Sequence, residues 1–144
     1  MIRRLAIVGV GLLGGSVAKA ARARGLAGEV VGVGRDASRL APALAEGALD
    51  RAPTDLAAGV SDADLVLLAA PVLAIERLLP AVWRAAGDGA VVTDVGSTKR
   101  DIVRAAERLA EARPLAFVGS HPMAGSERSG YGVARADLFQ GATV

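Results

Sequence analysis

Three glycines near the amino terminus of this 144-residue sequence have the spacing of a phosphate-binding turn. Gly9, Gly11 and Gly14 form a GxGxxG motif between a short apolar run and a longer amphipathic one. In this context Gly9 permits a tight turn, Gly11 leaves room for a pyrophosphate, and Gly14 lets a helix pack closely on a strand. Backbone N–H groups at the start of the helix then face the phosphates. The motif predicts a dinucleotide site, and the alternative is a purely structural turn.

The end of the second apolar run bears on which dinucleotide binds. In this kind of site an acidic residue about 20 residues beyond the glycines binds the ribose of NAD. Here Gly34 stands at that place and Arg35 follows it, which suits a 2′-phosphate better than a free hydroxyl. The pattern therefore favours NADP over NAD. Alternatively, Asp36 is the acid displaced by two residues, or it is only the N-cap of the next helix.

A second group of polar residues occupies the segment 94–99, Asp-Val-Gly-Ser-Thr-Lys, between an apolar run and an amphipathic one. Two interpretations of its hydroxyls remain open. Ser97 or Thr98 is a helix N-cap, with Thr98 and Asp101 as a capping-box-like pair. Otherwise the Ser97 hydroxyl, at the carboxyl end of a strand beside the nicotinamide, holds a substrate or orients a catalytic base.

His121 is the only histidine of the chain, and it stands in a polar segment, 119–127, directly after an apolar run. A lone histidine is more often structural than catalytic. However, open α/β sheets bind ligands at such loops, and removal of a hydride from an alcohol carbon requires an acceptor for the hydroxyl proton. His121 is therefore a candidate catalytic residue. Glu127 is either a solvated charge or a partner of this site.

The elements that position these residues follow from the hydrophobic pattern. Short runs rich in Val and Leu predict buried parallel strands at 5–10, 29–33, 64–70, 90–94 and 115–119. Longer amphipathic segments predict helices at 12–24, 37–46, 72–86 and 98–112. This alternation predicts one α/β domain over residues 1–144, a Rossmann-type doubly wound, mainly parallel sheet with helices on both faces. Pro42 is expected to delay or kink the second helix, and 141–144 resembles the beginning of another strand.

Composition excludes several functions. With no cysteine and one histidine, the chain has no disulfide, no thiolate nucleophile and no cluster of Cys or His metal ligands. Its 17 Lys and Arg residues, against 15 Asp and Glu, are scattered rather than gathered with aromatic residues. Nucleic-acid binding is therefore not expected.

Export and membrane insertion are not expected either. The chain opens with Met1, Ile2, Arg3 and Arg4 like a signal peptide, but the glycines that follow interrupt the apolar helix that such a peptide needs. The most apolar stretch, 65–75, is shorter than the ~20 residues that cross a bilayer. We therefore expect a cytoplasmic protein.

Together, the motifs resemble the prephenate/arogenate dehydrogenase family. The resemblance rests on 11–16 (Gly-Leu-Leu-Gly-Gly-Ser), 94–99, 119–127 (Gly-Ser-His-Pro-Met-Ala-Gly-Ser-Glu) and 136–142, and it covers the whole chain. It implies the nucleotide-binding domain of an enzyme that uses NAD(P)⁺ for the oxidative decarboxylation of prephenate or arogenate. The product is 4-hydroxyphenylpyruvate or tyrosine, in tyrosine biosynthesis.

The resemblance also implies roles for individual residues. His121 hydrogen-bonds the ring hydroxyl of the substrate and assists hydride transfer, Ser97 lies between nicotinamide and substrate, and Glu127 belongs to an ionic network near the site. The remaining expected contacts are Leu12, Leu13 and Pro71 with the cofactor, and Ser126 with the substrate.

Family members carry a further, mostly helical domain that supplies dimer contacts and groups for the substrate carboxylates. We expect that domain to lie outside this chain, so that the full-length protein is a homodimer and residues 1–144 alone turn over little substrate. Two alternatives are another NAD(P)-linked dehydrogenase or reductase, and a non-catalytic dinucleotide-binding module.

Overall fold

A single parallel sheet organises the computed structural model, which describes residues 1–144. Its strands are β1 (Ile2–Val8), β2 (Ala27–Val33), β3 (Leu65–Leu68), β4 (Val91–Asp94) and β5 (Ala116–Val118). They lie in the order β2-β1-β3-β4-β5, and every neighbouring pair is parallel. The predicted fold class is confirmed, with five strands at the five predicted places.

Helices connect the strands. They are α1 (Leu12–Ala23), α2 (Ala37–Ala45), α3 (Leu56–Val60), α4 (Val72–Ala85) and α5 (Arg100–Ala112), followed by a 3₁₀ turn at Tyr131–Val133. Only α3 was not predicted, because five residues are too few to show helical periodicity. Asp55 caps it by accepting a hydrogen bond of 3.0 Å from the Ala58 N–H. The helices are too short and too polar for any of them to span a bilayer.

The two faces of the sheet are covered by different helices. Along β1, Leu5 and Ile7 pack with α1, α2 and the 3₁₀ turn, whereas Ala6 and Val8 pack with α3, α4 and α5. This alternation follows from the two-residue period of a strand. It explains why the central residues of the strands are apolar, since a sheet covered on both sides buries every side chain at its centre.

Two local expectations were wrong. Of the two effects expected of Pro42, the delay does not occur, since α2 begins at Ala37, where Asp36 caps it. The segment 141–144 forms no strand. Its Thr143 carbonyl instead accepts a hydrogen bond of 2.7 Å from the Met123 N–H, so this part of the backbone is bonded to a loop and not to the edge of the sheet.

The order of the strands creates a crevice at one edge of the sheet. After β1 the chain first adds β2 on one side and then crosses to add β3 on the other. The loops that follow β1 and β3 therefore diverge, and open α/β sheets bind ligands at such a switch point. The glycine turn follows β1, so it lies at this crevice.

Candidate functional site

The three glycines of the turn have different surroundings. Gly9 has φ +95°, and a Cβ there would lie 2.5 Å from the carbonyl oxygen of Ala69. A Cβ at Gly14 would overlap the carbonyl oxygen of Gly9 and come within 3.0 Å of the Ile7 side chain. A Cβ at Gly11 would meet nothing within 4 Å. Gly9 and Gly14 thus allow close packing, while Gly11 faces open space.

Helix α1 begins at this turn without a side-chain cap. Gly11 is its N-cap, and no acidic residue lies in the first turn. The first N–H groups of a helix have no partner within the helix, and they carry the positive end of its dipole. An anionic group such as a pyrophosphate therefore fits the start of α1, where the position of Gly11 leaves space for it.

A cavity of about 460 Å³, which we name the central cavity, lies at the switch point. It brings together predicted residues that are far apart in the sequence: Gly11, Leu12, Leu13, Pro71, Ser97 and His121. Backbone groups of the glycine turn thus face the two side chains predicted to take part in chemistry.

Two further cavities adjoin the central one. The α2 cavity, of about 960 Å³, is lined by Gly9, Gly11, Gly34, Arg35 and Asp36, among others. The α4 cavity, of about 560 Å³, shares Gly34 and Arg35 with the α2 cavity and Pro71 with the central cavity. The three cavities form one cleft along the carboxyl edge of the sheet. Gly14 is the single predicted cofactor residue outside their linings, because it is buried beneath the turn.

Asp36 is the N-cap of α2, which was one of the two alternatives for this residue. Its carboxylate accepts hydrogen bonds from the Ser38 hydroxyl at 2.7 Å and from the Ser38 N–H at 2.9 Å. These two bonds hold the pKa of Asp36 below its usual value. The carboxylate is thus engaged in capping while the residue lines the α2 cavity.

Arg39 lines the α2 cavity together with Arg35 and was not singled out from the sequence. Both side chains are exposed, and Arg35 forms no ion pair. The Nε atom of Arg39 lies 3.8 Å from a carboxylate oxygen of Asp36. The spacing of four residues, across the start of a helix, was the available signal for a second cation at this place.

Ser97 and Thr98 do not cap a helix, so the capping interpretation was wrong. Helix α5 begins at Arg100, two residues later than predicted, with Lys99 in the N-cap position and no side-chain cap. Both hydroxyls are exposed and make no hydrogen bond within the protein. The Ser97 hydroxyl is therefore free to bind a ligand in the central cavity.

His121 is exposed on the wall of the central cavity, and its imidazole makes no hydrogen bond within the protein. A histidine with a structural role is normally buried and hydrogen-bonded. The contacts of His121 give it no such role, and both ring nitrogens are available to a ligand.

Ser126 and Glu127 are not brought into the central cavity. Both are exposed, and their side chains lie 3.5 Å apart at the closest oxygens. The next residue, Arg128, does line the cavity, and it is the only Lys, Arg, Asp or Glu among its lining residues. It has no ion-pair partner in the chain. The sequence did not indicate this residue, because an arginine in a polar loop carries no distinctive signal.

The segment after Arg128 is fastened to α1 and closes one wall of the cleft. The Tyr131 hydroxyl donates to Glu46, which also pairs with Lys19 at 3.2 Å. Burial, together with the bond to Glu46, raises the pKa of Tyr131 well above its usual value. The Arg135 N–H donates to the buried Ser16 hydroxyl at 3.0 Å.

Known proteins resemble this chain over nearly its whole length. Residues 17–144 match a family model described as the nucleotide-binding domain of prephenate dehydrogenase. The chain is 34% identical to a prephenate dehydrogenase of Lactococcus lactis subsp. cremoris over 142 residues, which are 98% of this chain and 40% of that protein. It is 35% identical to a prephenate dehydrogenase of Bacillus subtilis, covering 94% of this chain and 37% of that protein. The chain thus spans about two fifths of the length of these relatives.

Solved structures agree with the sequence comparison. A prephenate dehydrogenase of A. aeolicus in complex with hydroxyphenyl propionate and NAD⁺ has a TM-score of 0.83 and 30% identity, covering 99% of this chain and 49% of that one. A Synechocystis arogenate dehydrogenase has a TM-score of 0.87 and 32% identity, covering 96% of this chain and 48% of that one.

Proposed function

Because the chain belongs to the family of prephenate dehydrogenase nucleotide-binding domains, we propose that it binds NAD(P)⁺ and takes part in the oxidative decarboxylation of prephenate or arogenate. The observation that carries this proposal is the central cavity, where the start of α1 faces Ser97 and an imidazole without a protein partner. A purely structural turn would not require either side chain at that place.

The glycine turn holds the dinucleotide in this proposal. The N–H groups at the start of α1 bind the pyrophosphate, and Gly11 lets it approach the backbone. Leu12, Leu13 and Pro71 contact the remainder of the cofactor along the cleft. The chemistry that the bound cofactor supplies is acceptance of a hydride by its nicotinamide ring.

The cofactor is NADP⁺ in preference to NAD⁺. Gly34 leaves no carboxylate for a ribose hydroxyl, and the neighbouring carboxylate of Asp36 is engaged by Ser38. Arg35 and Arg39 both line the α2 cavity. Guanidinium groups form strong charge-assisted hydrogen bonds with phosphate, so the pair favours a 2′-phosphate.

His121 is the catalytic residue of the proposed reaction. As a neutral imidazole it accepts the proton of the ring hydroxyl while a hydride leaves the ring carbon that bears this hydroxyl. The resulting dienone loses CO₂ from the opposite ring carbon, the electron pair of that bond completes the aromatic ring, and the phenolate oxygen takes the proton back from His121. Aromatisation drives the reaction, so the protein mainly has to orient the reactants.

Ser97 and Arg128 orient the substrate. The free hydroxyl of Ser97 lies between the cofactor and the substrate, and Arg128 binds a substrate carboxylate, since it is the only permanent charge lining the central cavity. Ser126 and Glu127 contact the substrate from the rim of the central cavity in this proposal. Further carboxylate ligands and homodimer contacts belong to a helical domain, as expected from the resemblance.

Calorimetric titration of residues 1–144 with NADP⁺ and NAD⁺ tests the binding part of this proposal. We expect saturable binding of both, tighter for NADP⁺, and an absence of binding would overturn the proposed function. Prephenate-dependent reduction of NAD(P)⁺ by the full-length protein tests the activity. Binding without turnover of prephenate or arogenate by that protein would favour another dehydrogenase or a non-catalytic module.

A further inference from the structure

A fully buried carboxylate lies at the carboxyl end of β4 and takes no part in the proposed reaction. Asp94 accepts a hydrogen bond of 2.8 Å from the Gly96 N–H and one of 3.3 Å from the Ser120 N–H. It also forms an ion pair with the Nζ atom of Lys99. One carboxylate therefore contacts the loop after β4 and the loop after β5.

Backbone carbonyls at the ends of β4 and β5 accept further hydrogen bonds that hold the starts of these two loops together. The Ser120 hydroxyl donates to the carbonyl of Asp94, and the Thr93 hydroxyl donates to the carbonyl of Val118 at 2.6 Å. The stem of Lys99 also crosses from one loop to the other, since a Cβ at Gly119 would lie 3.3 Å from its Cδ. The two loops thus share a polar core.

These contacts flank the two side chains of the central cavity. Ser97 lies between Gly96 and Lys99, both of which are bonded to Asp94. His121 directly follows Ser120, which is bonded to Asp94 through both its N–H and its hydroxyl. Ser97 and His121 themselves make no hydrogen bond within the protein, so their placement depends on these neighbours.

A buried ion pair is a poor way to gain stability, because an apolar pair of similar volume often stabilises a protein equally well. The Asp94–Lys99 pair is better explained by directionality, since an apolar contact would not fix the loops in one geometry. We propose that Asp94 is a positioning residue that sets the distance between Ser97 and His121 by holding both loops to one carboxylate. Its effect on turnover rests on the proposed function, whereas its effect on geometry does not.

The single histidine of the chain makes the geometric part directly measurable, because one imidazole resonance reports on His121 alone. In residues 1–144 carrying Asp94→Asn, we expect the amide resonance of Ser97 and the imidazole resonance of His121 to shift together. Hydrogen exchange of the Ser120 amide should accelerate by at least about tenfold, since a charge-assisted bond is lost.

Asp64→Asn is the matched control. Like Asp94, Asp64 accepts hydrogen bonds from two backbone N–H groups, those of Arg3 and Arg4, and forms an ion pair, here with Arg3. It lies directly before β3, at the end of the strands opposite to the central cavity. We expect it to leave the Ser97 and His121 resonances unchanged. If Asp94→Asn shifts Ser97 but leaves His121 and the exchange of Ser120 unaltered, Asp94 serves one loop only and the proposal is wrong.

Lys99→Gln keeps the proposal testable if Asp94→Asn does not fold. It removes the charge that binds Asp94 and shortens the stem that packs beside Gly119 in the loop after β5, so we again expect the His121 resonance to shift. An unchanged His121 resonance in folded Lys99→Gln protein would overturn the proposal.

Turnover gives a separate measurement in the full-length protein. Misplacement of Ser97 relative to His121 should lower kcat by about tenfold to a hundredfold, while the KM for the dinucleotide stays unchanged. An unaltered kcat with shifted resonances would show that the geometry does not matter for the reaction, which would overturn the catalytic part. If the wild-type protein turns over neither prephenate nor arogenate, the proposed function fails, and the coupling of Ser97 to His121 is still decided by the resonances.

Discussion

The two sides of the cleft are built in different ways. On the side of β1, α1 and β2, the protein presents backbone N–H groups, and close packing at Gly9 and Gly14 holds them in place. On the side of β4 and β5, it presents the side chains of Ser97 and His121, and polar contacts around Asp94 hold the loops that carry them. Steric changes should therefore damage the first side, and changes of charge or hydrogen bonding the second.

The largest effect is expected on the β4–β5 side, from His121→Asn. General-base assistance is typically worth ~10²–10⁴-fold, so kcat of the full-length protein should fall by about that factor. Dinucleotide affinity should stay nearly unchanged, because the glycine side is untouched. Steady-state kinetics combined with calorimetry measures both.

Thermal unfolding of His121→Asn is the control, because a variant that no longer folds would mean that this residue has a structural role. If kcat of folded His121→Asn protein falls by less than about tenfold, another group is the base.

On the glycine side, we expect Gly11→Val to lose dinucleotide affinity and Gly14→Ala to lose stability. Gly11→Val places a side chain where the pyrophosphate binds, and its Cβ meets no protein atom within 4 Å. Affinity should therefore fall by about a hundredfold, with a smaller loss of stability than in Gly14→Ala. Gly14→Ala forces overlap with the carbonyl of Gly9 and should destabilise the fold by about 3 kcal/mol. Calorimetric titration and urea unfolding separate the two outcomes. Retained affinity in Gly11→Val would contradict the placement of the dinucleotide.

A smaller effect is expected from the arginines of the α2 cavity. Arg35→Ala should reduce the preference for NADP⁺ over NAD⁺ by about tenfold, since a charge-assisted hydrogen bond to phosphate is worth about 1.5–3 kcal/mol. Arg39→Ala should reduce it less, because Arg39 lies near Asp36. The ratio of the two dissociation constants is the measurement. An unchanged ratio in both variants would remove the argument for NADP⁺.

The smallest effect concerns the response to acid. On the glycine side, hydrogen bonds from Arg51 and Arg4 hold the pKa of Glu29 below its usual value of 4.5. The folded state thus favours the charged form, and its stabilisation is present at neutral pH. As the pH falls below about 4.5, the unfolded chain takes up the proton first, so this stabilisation is lost. Glu29→Gln should therefore lower the free energy of unfolding at pH 7 and make it depend less on pH below about 4.5, as measured by urea unfolding. An equal loss of stability at every pH would contradict the assignment of this acid response to Glu29.

The sequence predicted the elements well because each is specified locally. The strands have apolar centres rich in Val, Leu and Ile, and the four predicted helices differ from their expected bounds by no more than two residues at either end. The late start of α5 was missed because the backbone between Val95 and Lys99 is drawn toward Asp94 instead of forming a helical turn.

The sequence indicated two side chains that line the central cavity, Ser97 and His121, but not the contacts that support them. Both were singled out because hydroxyl and imidazole groups stand out at strand ends. The bond between Asp94 and Ser120 joins residues 26 positions apart, and no local pattern reveals it. The placement of Arg128 inside the central cavity, with Glu127 outside it, likewise depends on the path of one loop in space.

The bond between Ser16 and Arg135 joins residues 119 positions apart, and it has a consequence for protein synthesis. A ribosome adds roughly 5–20 residues per second, so Ser16 is made roughly 6–24 s before its partner. During that interval Tyr131 and Ala134 cannot yet cover the alanine-lined side of α1 that they pack against in the finished domain. The nascent chain therefore exposes this side of α1 until Tyr131 and its neighbours have been made, and the cleft gains this wall only then.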